Sequence, residues 1–239
     1  MQQVDGNSGL SFLFYFCNNT PRNFTPSKKH TATMSKIFFD NGISLDGYFA
    51  GENRGPDNPL GDGGTTIHTW MYHQRAFLKN LGIDDGDSEG ADNRLVSETL
   101  SRTGAYIMGK RMFEEGEVNW PENLYKTDVF VLTHEKREPW KQKGNTTFYF
   151  VNDGIESAVA RARQSAGGKD IRIQGGAMMI QQFLNAGLVD ECLIHIAPLI
   201  LGSGIRLFEG IDADRFSLSI KEVIHSTLTT HIRYEIRNK

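Results

Sequence analysis

From Met34 onward the sequence alternates short β-leaning runs with amphipathic helical ones, and this alternation limits the possible folds more than any other feature. The runs KIFFD, TGAYIMG, DVFVLTH, TTFYFV and DIRIQ are apolar and bounded by Gly, Asn, Asp or Pro. The run GIESAVARARQSAGG carries Ile155, Ala158, Val159 and Ala162 on one face and stops at Gly167. AMMIQQFLNAG places Met179, Ile180, Phe183 and Leu184 in one stripe and stops at Gly187. Strands linked through helices run parallel, so the pattern predicts an α/β fold of three layers, a mostly parallel sheet with helices on both faces. The carboxyl end breaks the pattern. FSLSIKEVIHST and LTTHIRYEIR alternate like strands with no helix between them, which predicts an antiparallel hairpin on the sheet edge and a mixed sheet.

Residues 1–33 read differently: a short apolar run, LSFLFYFC, is followed by the polar stretch NNTPRNFTPSKKHTAT. The run is too short to span a bilayer and no basic segment precedes it, so the expectation is a disordered extension ahead of one domain over 34–239. Within that domain, residues 52–101 are rich in Gly, Asp and Asn around the helix-like TIHTWMYHQRAFLKNLG, and read as an insertion or lid. The net charge is −3 and no basic stripe with interleaved aromatics is present, which argues against nucleic acid as a partner. Cys17 and Cys192 are far apart and lack CxxC spacing. No zinc site or disulfide framework is expected, and a reducing cytoplasm is.

Chemistry in such a sheet belongs at the carboxyl ends of the strands, where free amides at the start of the next helix favour phosphate. Gly175, Gly176 and Ala177 stand at one such junction, and Gly109 leading into Lys110, Arg111 and Met112 at another. Two junctions of this kind suit a dinucleotide, although a tight turn without ligand explains each alone. After a further strand, Thr133, His134, Lys136 and Arg137 could hold a ribose phosphate or form a solvated loop. Ser44, Asp46 and Gly47 form either an Asp-Gly turn or a loop against a cofactor ring. Gly202 and Gly204 mark a flexible turn or a close approach to a ligand. In the lid, His68, Trp70 and Tyr72 could meet a planar heterocycle, or Trp70 could be core. Asp46, with a pKa raised by partial desolvation, is the candidate for proton delivery or substrate orientation, and His68 is the reserve.

The stretches SLDGYFAG, IMGKRMFE, VFVLTH, IQGGAMMIQQFLNAGLVDE and APLILGSGIRLFEG, in this order, resemble the dihydrofolate reductase-like superfamily. The branch is the one containing the reductase domain of bacterial riboflavin biosynthesis, and the likeness covers about residues 34–239. The resemblance implies a mixed sheet flanked by helices, NADPH as hydride donor, and frequently a homodimer. It implies that Gly109, Lys110 and Arg111, with Met112 in the same turn, and the diglycine face the cofactor phosphates. Thr133 and His134 would lie near the adenosine ribose, and the substrate would be a small heterocycle such as 5-amino-6-(5-phosphoribosylamino)uracil, for which Ser44, Trp70, Gly202 and Gly204 are the candidate binding residues. The chain departs from the pattern, and the Gly-rich insertion from Glu52 to Asn93 is extra to it. Residues 1–33 lack the His and paired Cys of a zinc deaminase, and no acidic residue matches the one that assists pterin reduction. Reduction of a pterin, or nucleotide binding without turnover, are the competing readings.

Overall fold

A computed structural model of the chain describes residues 35–239; the expected extension at 1–33 lies outside the described residues. Strand β1 (Ile37–Ser44) is buried along its whole length. It is followed by β2 (Tyr48–Ala50), a 3₁₀ turn (Gly64–His68), and helices α1 (Thr69–Tyr72), α2 (Arg75–Asn80) and α3 (Gly90–Arg102). The run TIHTWMYHQRAFLKNLG is therefore three short pieces and not one helix. Gln74 adopts an extended backbone between α1 and α2 and turns its side chain back to donate to the Trp70 carbonyl at 2.9 Å, which separates α1 from α2. The helix α3 has a buried face of Asp92, Leu95, Val96 and Thr99, half of it polar, so its apolar stripe is too thin to read from sequence.

The rest alternates as the pattern predicts: β3 (Thr103–Gly109), α4 (Lys110–Glu117), β4 (Val129–Leu132), β5 (Trp140–Lys141), β6 (Thr147–Val151), α5 (Ile155–Ser165), β7 (Asp170–Gly175), α6 (Ala177–Asn185) and β8 (Glu191–Ala197). After β9 (Ile205–Arg206) and a short 3₁₀ turn come β10 (Phe216–His225) and β11 (Thr230–Asn238). The main sheet has the order β10-β11-β8-β1-β7-β3-β4-β6-β5. Its centre is parallel, and β10–β11 is an antiparallel hairpin attached to β8, as the alternating carboxyl-terminal runs require. A small second sheet pairs β2 with β9. There Gly204 is needed by the fold: a Cβ on it would lie 2.1 Å from the Ala50 carbonyl oxygen. The close approach made by Gly204 is thus to protein backbone.

Helices α5 and α6 cover one face over a core that includes Ile37, Phe39, Ile107, Ile171, Ile173 and Phe183. On the opposite face Phe113 of α4 packs with Met108, Val129, Val131 and Phe148. Parallel strands covered on both sides read as continuous apolar runs, and this is why β3, β4 and β6 were plain in the sequence.

Candidate active site

Strand β1 pairs with β7 only as far as Phe39↔Ile173, while it stays with β8 to Ser44↔Ala197. Beyond Phe39 a crevice therefore opens between two parallel neighbours at their carboxyl ends, the usual place for a ligand in an open α/β sheet. A cavity of about 230 Å³ fills it, walled by aromatic side chains including Phe49, Trp70 and Tyr106, and by Asn41, His68 and Gln174.

The two glycine junctions lie side by side, and that of Gly175 borders the cavity wall. In the β3–β7 pair Met108 stands opposite Gly175, so Gly109 and Gly175–Gly176 end adjacent strands. Helix α4 begins directly after Gly109 and α6 after Gly176, and no side chain caps either first turn, leaving backbone N–H groups available. Gly175 has φ +127°, which side chains rarely adopt, and a Cβ there would lie 3.3 Å from Phe49 and 3.7 Å from the Met112 sulfur. Both of those residues line the cavity. Ala177, the first residue of α6, is buried against the core. One cation that sequence reading overlooked sits here: the Arg54 guanidinium comes within 3.8 Å of the Cβ position of Gly176. It is fixed by Glu115 at 2.6 Å and the Pro59 carbonyl at 2.8 Å.

The remaining predicted residues divide. Lys110 bonds Glu135 at 2.6 Å and Glu114 at 3.2 Å, which raises its pKa and spends its charge on protein partners. Arg137 is held by Glu117 and stacks over Phe113 and Phe150, so it is a packing residue. Arg111, His134 and Lys136 are exposed, and none forms an ion pair among the described residues; the Thr133 hydroxyl accepts from the Glu135 amide at 3.0 Å. Asp46 corrects an expectation. Its carboxylate accepts from the Ser44 hydroxyl at 2.6 Å and from the amides of Leu201 and Gly202 at 3.1 and 2.8 Å. The Ser44 hydrogen bond, with those amides, lowers its pKa to about 2 rather than raising it. Asp46, Ser44 and Gly202 thus tie two loops together, and Asp46 stays an acceptor at neutral pH. Trp70 is buried and lines the cavity, as does His68, whereas Tyr72 packs on Phe77. Burial, reinforced by the nearby His195, lowers the His68 pKa to about 4, so its imidazole is neutral at pH 7.

Beneath the cavity lies a polar layer that the sequence reading missed. Asp40 on β1 accepts from the Thr99 hydroxyl and lies 2.5 Å from His195 Nε2; Arg172 is 3.7 Å away and donates to the Asp40 carbonyl at 2.9 Å. His195 in turn contacts His231, which contacts Asp92. Burial pushes the Asp40 pKa up, but Arg172 and His195 outweigh it and hold the carboxyl well below its usual range. Burial, with His195 beside it, pushes the His231 pKa down.

Comparison with known proteins gives the architecture a lineage. The RibD C-terminal domain family matches residues 35–233. The chain belongs to the RibD C-terminal domain family. A Shewanella sp. PV-4 protein named for riboflavin biosynthesis shares the fold with a TM-score of 0.56 at 21% identity, over 86% of this chain and 99% of that one. A Thermotoga maritima diaminohydroxyphosphoribosylaminopyrimidine deaminase/5-amino-6-(5-phosphoribosylamino)uracil reductase superposes with a TM-score of 0.52 at 12% identity, over 84% of this chain and 56% of that one. By sequence, the uncharacterized Bacillus subtilis (strain 168) protein YyaP is 28% identical over 153 residues, 56% of this chain and 81% of its own length. The mixed sheet and flanking helices are those that the resemblance implied.

In this RibD C-terminal domain the cavity wall carries polar atoms that no protein group satisfies. Asn41 Oδ1, Gln174 Oε1 and Arg172 Nε are buried without a hydrogen-bond partner. Unsatisfied groups of this kind in a cavity wall call for a polar guest. A nicotinamide dinucleotide fits the residues present: amides and Arg54 for a diphosphate at the glycine turns, and amide side chains beside an aromatic-walled slot for a ring. Among the described residues no cluster of His, Cys, Asp and Glu could hold a metal ion, and no helix is long and apolar enough to cross a membrane.

Proposed function

We propose that the protein is an NADPH-dependent reductase of a small heterocyclic substrate, 5-amino-6-(5-phosphoribosylamino)uracil or a close chemical relative. The observation that carries this reading is the meeting of two glycine-marked helix starts, at Gly109 and Gly175–Gly176, on adjacent strand ends beside an aromatic-walled cavity. Membership of the RibD C-terminal domain family and the likeness to the Thermotoga maritima enzyme support the substrate class.

When bound, the reduced nicotinamide supplies the hydride, and the protein's task is orientation and exclusion of water. The amides that open α4 and α6, with Arg54, take the diphosphate. Lys136 and His134, exposed beyond β4, take the ribose 2′-phosphate, the group that separates NADPH from NADH. Asn41 and Gln174 bond the polar edges of the rings, Phe49 and Trp70 wall out water, and the neutral His68 orients the acceptor. Titrating the purified protein with NADPH while following nicotinamide fluorescence tests the site. NADPH oxidation with the phosphoribosylaminouracil, and with dihydrofolate as contrast, tests turnover. Saturable binding with oxidation only by the former is the expected result; binding without oxidation by any acceptor favours a nucleotide-binding protein without turnover.

The assembly we propose is a homodimer in the cytoplasm. Leu218, Ile220 and Val223 on β10 are 52–62% exposed and continue the apolar face of the sheet past the edge of α6. A contiguous exposed apolar face of this kind marks an association surface. Light scattering on Ile220→Glu, expected to give monomers where the native chain gives dimers, tests it. The buried Cys192 thiol, its pKa pushed up by burial to about 12, suits a reducing compartment.

A further inference from the structure

Asp92, His231, His195 and Asp40 form one line of short hydrogen bonds through the polar layer. His231 Nε2 lies 2.7 Å from Asp92 Oδ1, His231 Nδ1 lies 2.6 Å from His195 Nδ1, and His195 Nε2 lies 2.5 Å from Asp40 Oδ1. The two ends of the line open on different spaces. Asp40 and His195 line the central cavity, whereas Asp92 lines a solvent-facing cleft of about 550 Å³ between the chain at Gly86–Asp92 and the β10–β11 turn at Ser226–Leu228. In between, both imidazoles are buried, and the Trp70 ring lies against them with centroids 4.5 and 4.9 Å away.

Counting protons shows what such a line can do. Carboxylate oxygens and unprotonated ring nitrogens only accept, so each of the three contacts needs one proton. Three protons on the line have two ordered end states. In one, favoured at rest by Arg172 3.7 Å from Asp40, Asp92 carries an acid proton and Asp40 is ionised; in the other, reached only in transit, Asp92 is ionised and Asp40 carries the acid proton. Moving each proton across its own short contact converts the first into the second, which transfers one proton equivalent from the cleft to the cavity without moving a side chain.

We propose that this line is a proton relay, taking up a proton from water at Asp92 and presenting it at Asp40 for the reduction in the cavity. The inference rests on the reductase reading. Reduction adds a hydride from the reduced nicotinamide to an electrophilic carbon and a proton to the heteroatom doubly bonded to it. The π bond and the Asp40 O–H bond break, C–H and heteroatom–H bonds form, and the hydride donor is oxidised. Asp40 is left as a carboxylate, Asp92 takes a new proton from water, and each imidazole, left protonated on its cleft-side nitrogen, swings out of the line to lose that proton and gain one on its other nitrogen before the next turnover. The charged and titratable groups around the inner end are Arg172 from β7, Tyr106 from β3 and His68 from the 3₁₀ turn, with the Thr99 hydroxyl from α3. At the outer end Asp87 and Glu89 line the same cleft as Asp92. Asp92 and His231 are positioning residues in this scheme, remote from the reacting atoms.

The test uses the full chain, its Asp92→Asn and His231→Gln variants, and thermal melts to verify folding. With ¹⁵N-labelled histidine, the native protein should show a strongly deshielded proton between two Nδ1 nitrogens. Asp92→Asn should shift the ring nitrogens of His195, which does not touch residue 92. Steady-state reduction by either variant should lose roughly 10- to 100-fold in kcat, the scale of general acid–base catalysis. The nucleotide KM should stay within about twofold, and the solvent isotope effect should rise. Folded Asp92→Asn protein with unmoved His195 nitrogens, or with native kcat and isotope effect, overturns the relay. If the native protein reduces no acceptor, the reductase reading falls, and the nitrogen shifts alone decide whether the relay exists.

Discussion

On the face covered by α5 and α6, strands β1, β7, β3 and β8 present Phe39, Ile173, Ile107 and Ile194, all buried and apolar. One residue along in each strand, the opposite face presents Asp40, Arg172, Tyr106 and His195. The same backbone thus carries two layers of different chemistry, separated by the period of two that a strand imposes. The apolar layer gains from burial with no partners to satisfy. The polar layer holds buried charge, which is costly unless paired and hydrogen-bonded, and it sits where the cavity is. Stability resides mainly on one face and the chemistry on the other.

Truncation of the apolar layer should have the largest effect and should leave the site alone. Phe183→Ala, which empties a fully buried position on α6, should cost about 3–5 kcal/mol in urea unfolding. The folded fraction should still bind NADPH within about twofold of native; a proportionate loss of affinity would show that the two layers are not separable.

The polar layer should reveal itself in the pH dependence of stability. His68 titrates at about 4 when folded and near 6.5 in the open chain, so between those values the unfolded state binds more protons. Stability should fall as pH drops from about 6.5 to 4, by at most about 3 kcal/mol. Asp40, held well below its usual range, adds a further loss at lower pH, starting as pH falls through about 4. Melts across pH 3–8 of native protein and His68→Gln check this: the variant should lose the slope of the upper window and keep the lower one. Equal slopes in both proteins would place no titrating imidazole at residue 68.

At the mouth of the cavity, Gly175→Ala forces a side chain into φ +127° and against Phe49. With strain on the order of 1–3 kcal/mol, NADPH affinity should drop roughly tenfold or more. Gly176→Ala, whose Cβ would meet nothing nearer than 3.8 Å, should cost less. The smallest effect belongs to Lys136→Ala on the exposed loop: NADPH should weaken about threefold and NADH not at all, as suits a solvent-screened cation. Isothermal titration of all three variants with both nucleotides orders these effects.

Much of the apolar layer was legible because it is written locally. The strand runs, the stripes of α5 and α6 and the edge hairpin each repeat a pattern within a dozen residues. The glycine junctions were legible because strand, glycine and helix are contiguous. The polar layer was not, since Asp40, Arg172, His195 and His231 are single polar residues in strands far apart in sequence, brought together only by sheet register. The available signal was a charged or imidazole residue interrupting each apolar run, at IFFDNGIS, DIRIQG, ECLIHIA and THIRYEIR. Asp46 misled for the converse reason. The amides of Leu201 and Gly202 that claim its carboxylate lie about 155 residues away, while Asp-Gly alone suggests an available acid.

The central claim, one nucleotide site shared by both glycine turns, is tested most directly by a crystal structure of the protein with NADPH. The account predicts the diphosphate within hydrogen-bond distance of the first-turn amides of both α4 and α6, with Arg54 beside it. A nucleotide bound at one turn only, or away from both, would contradict it.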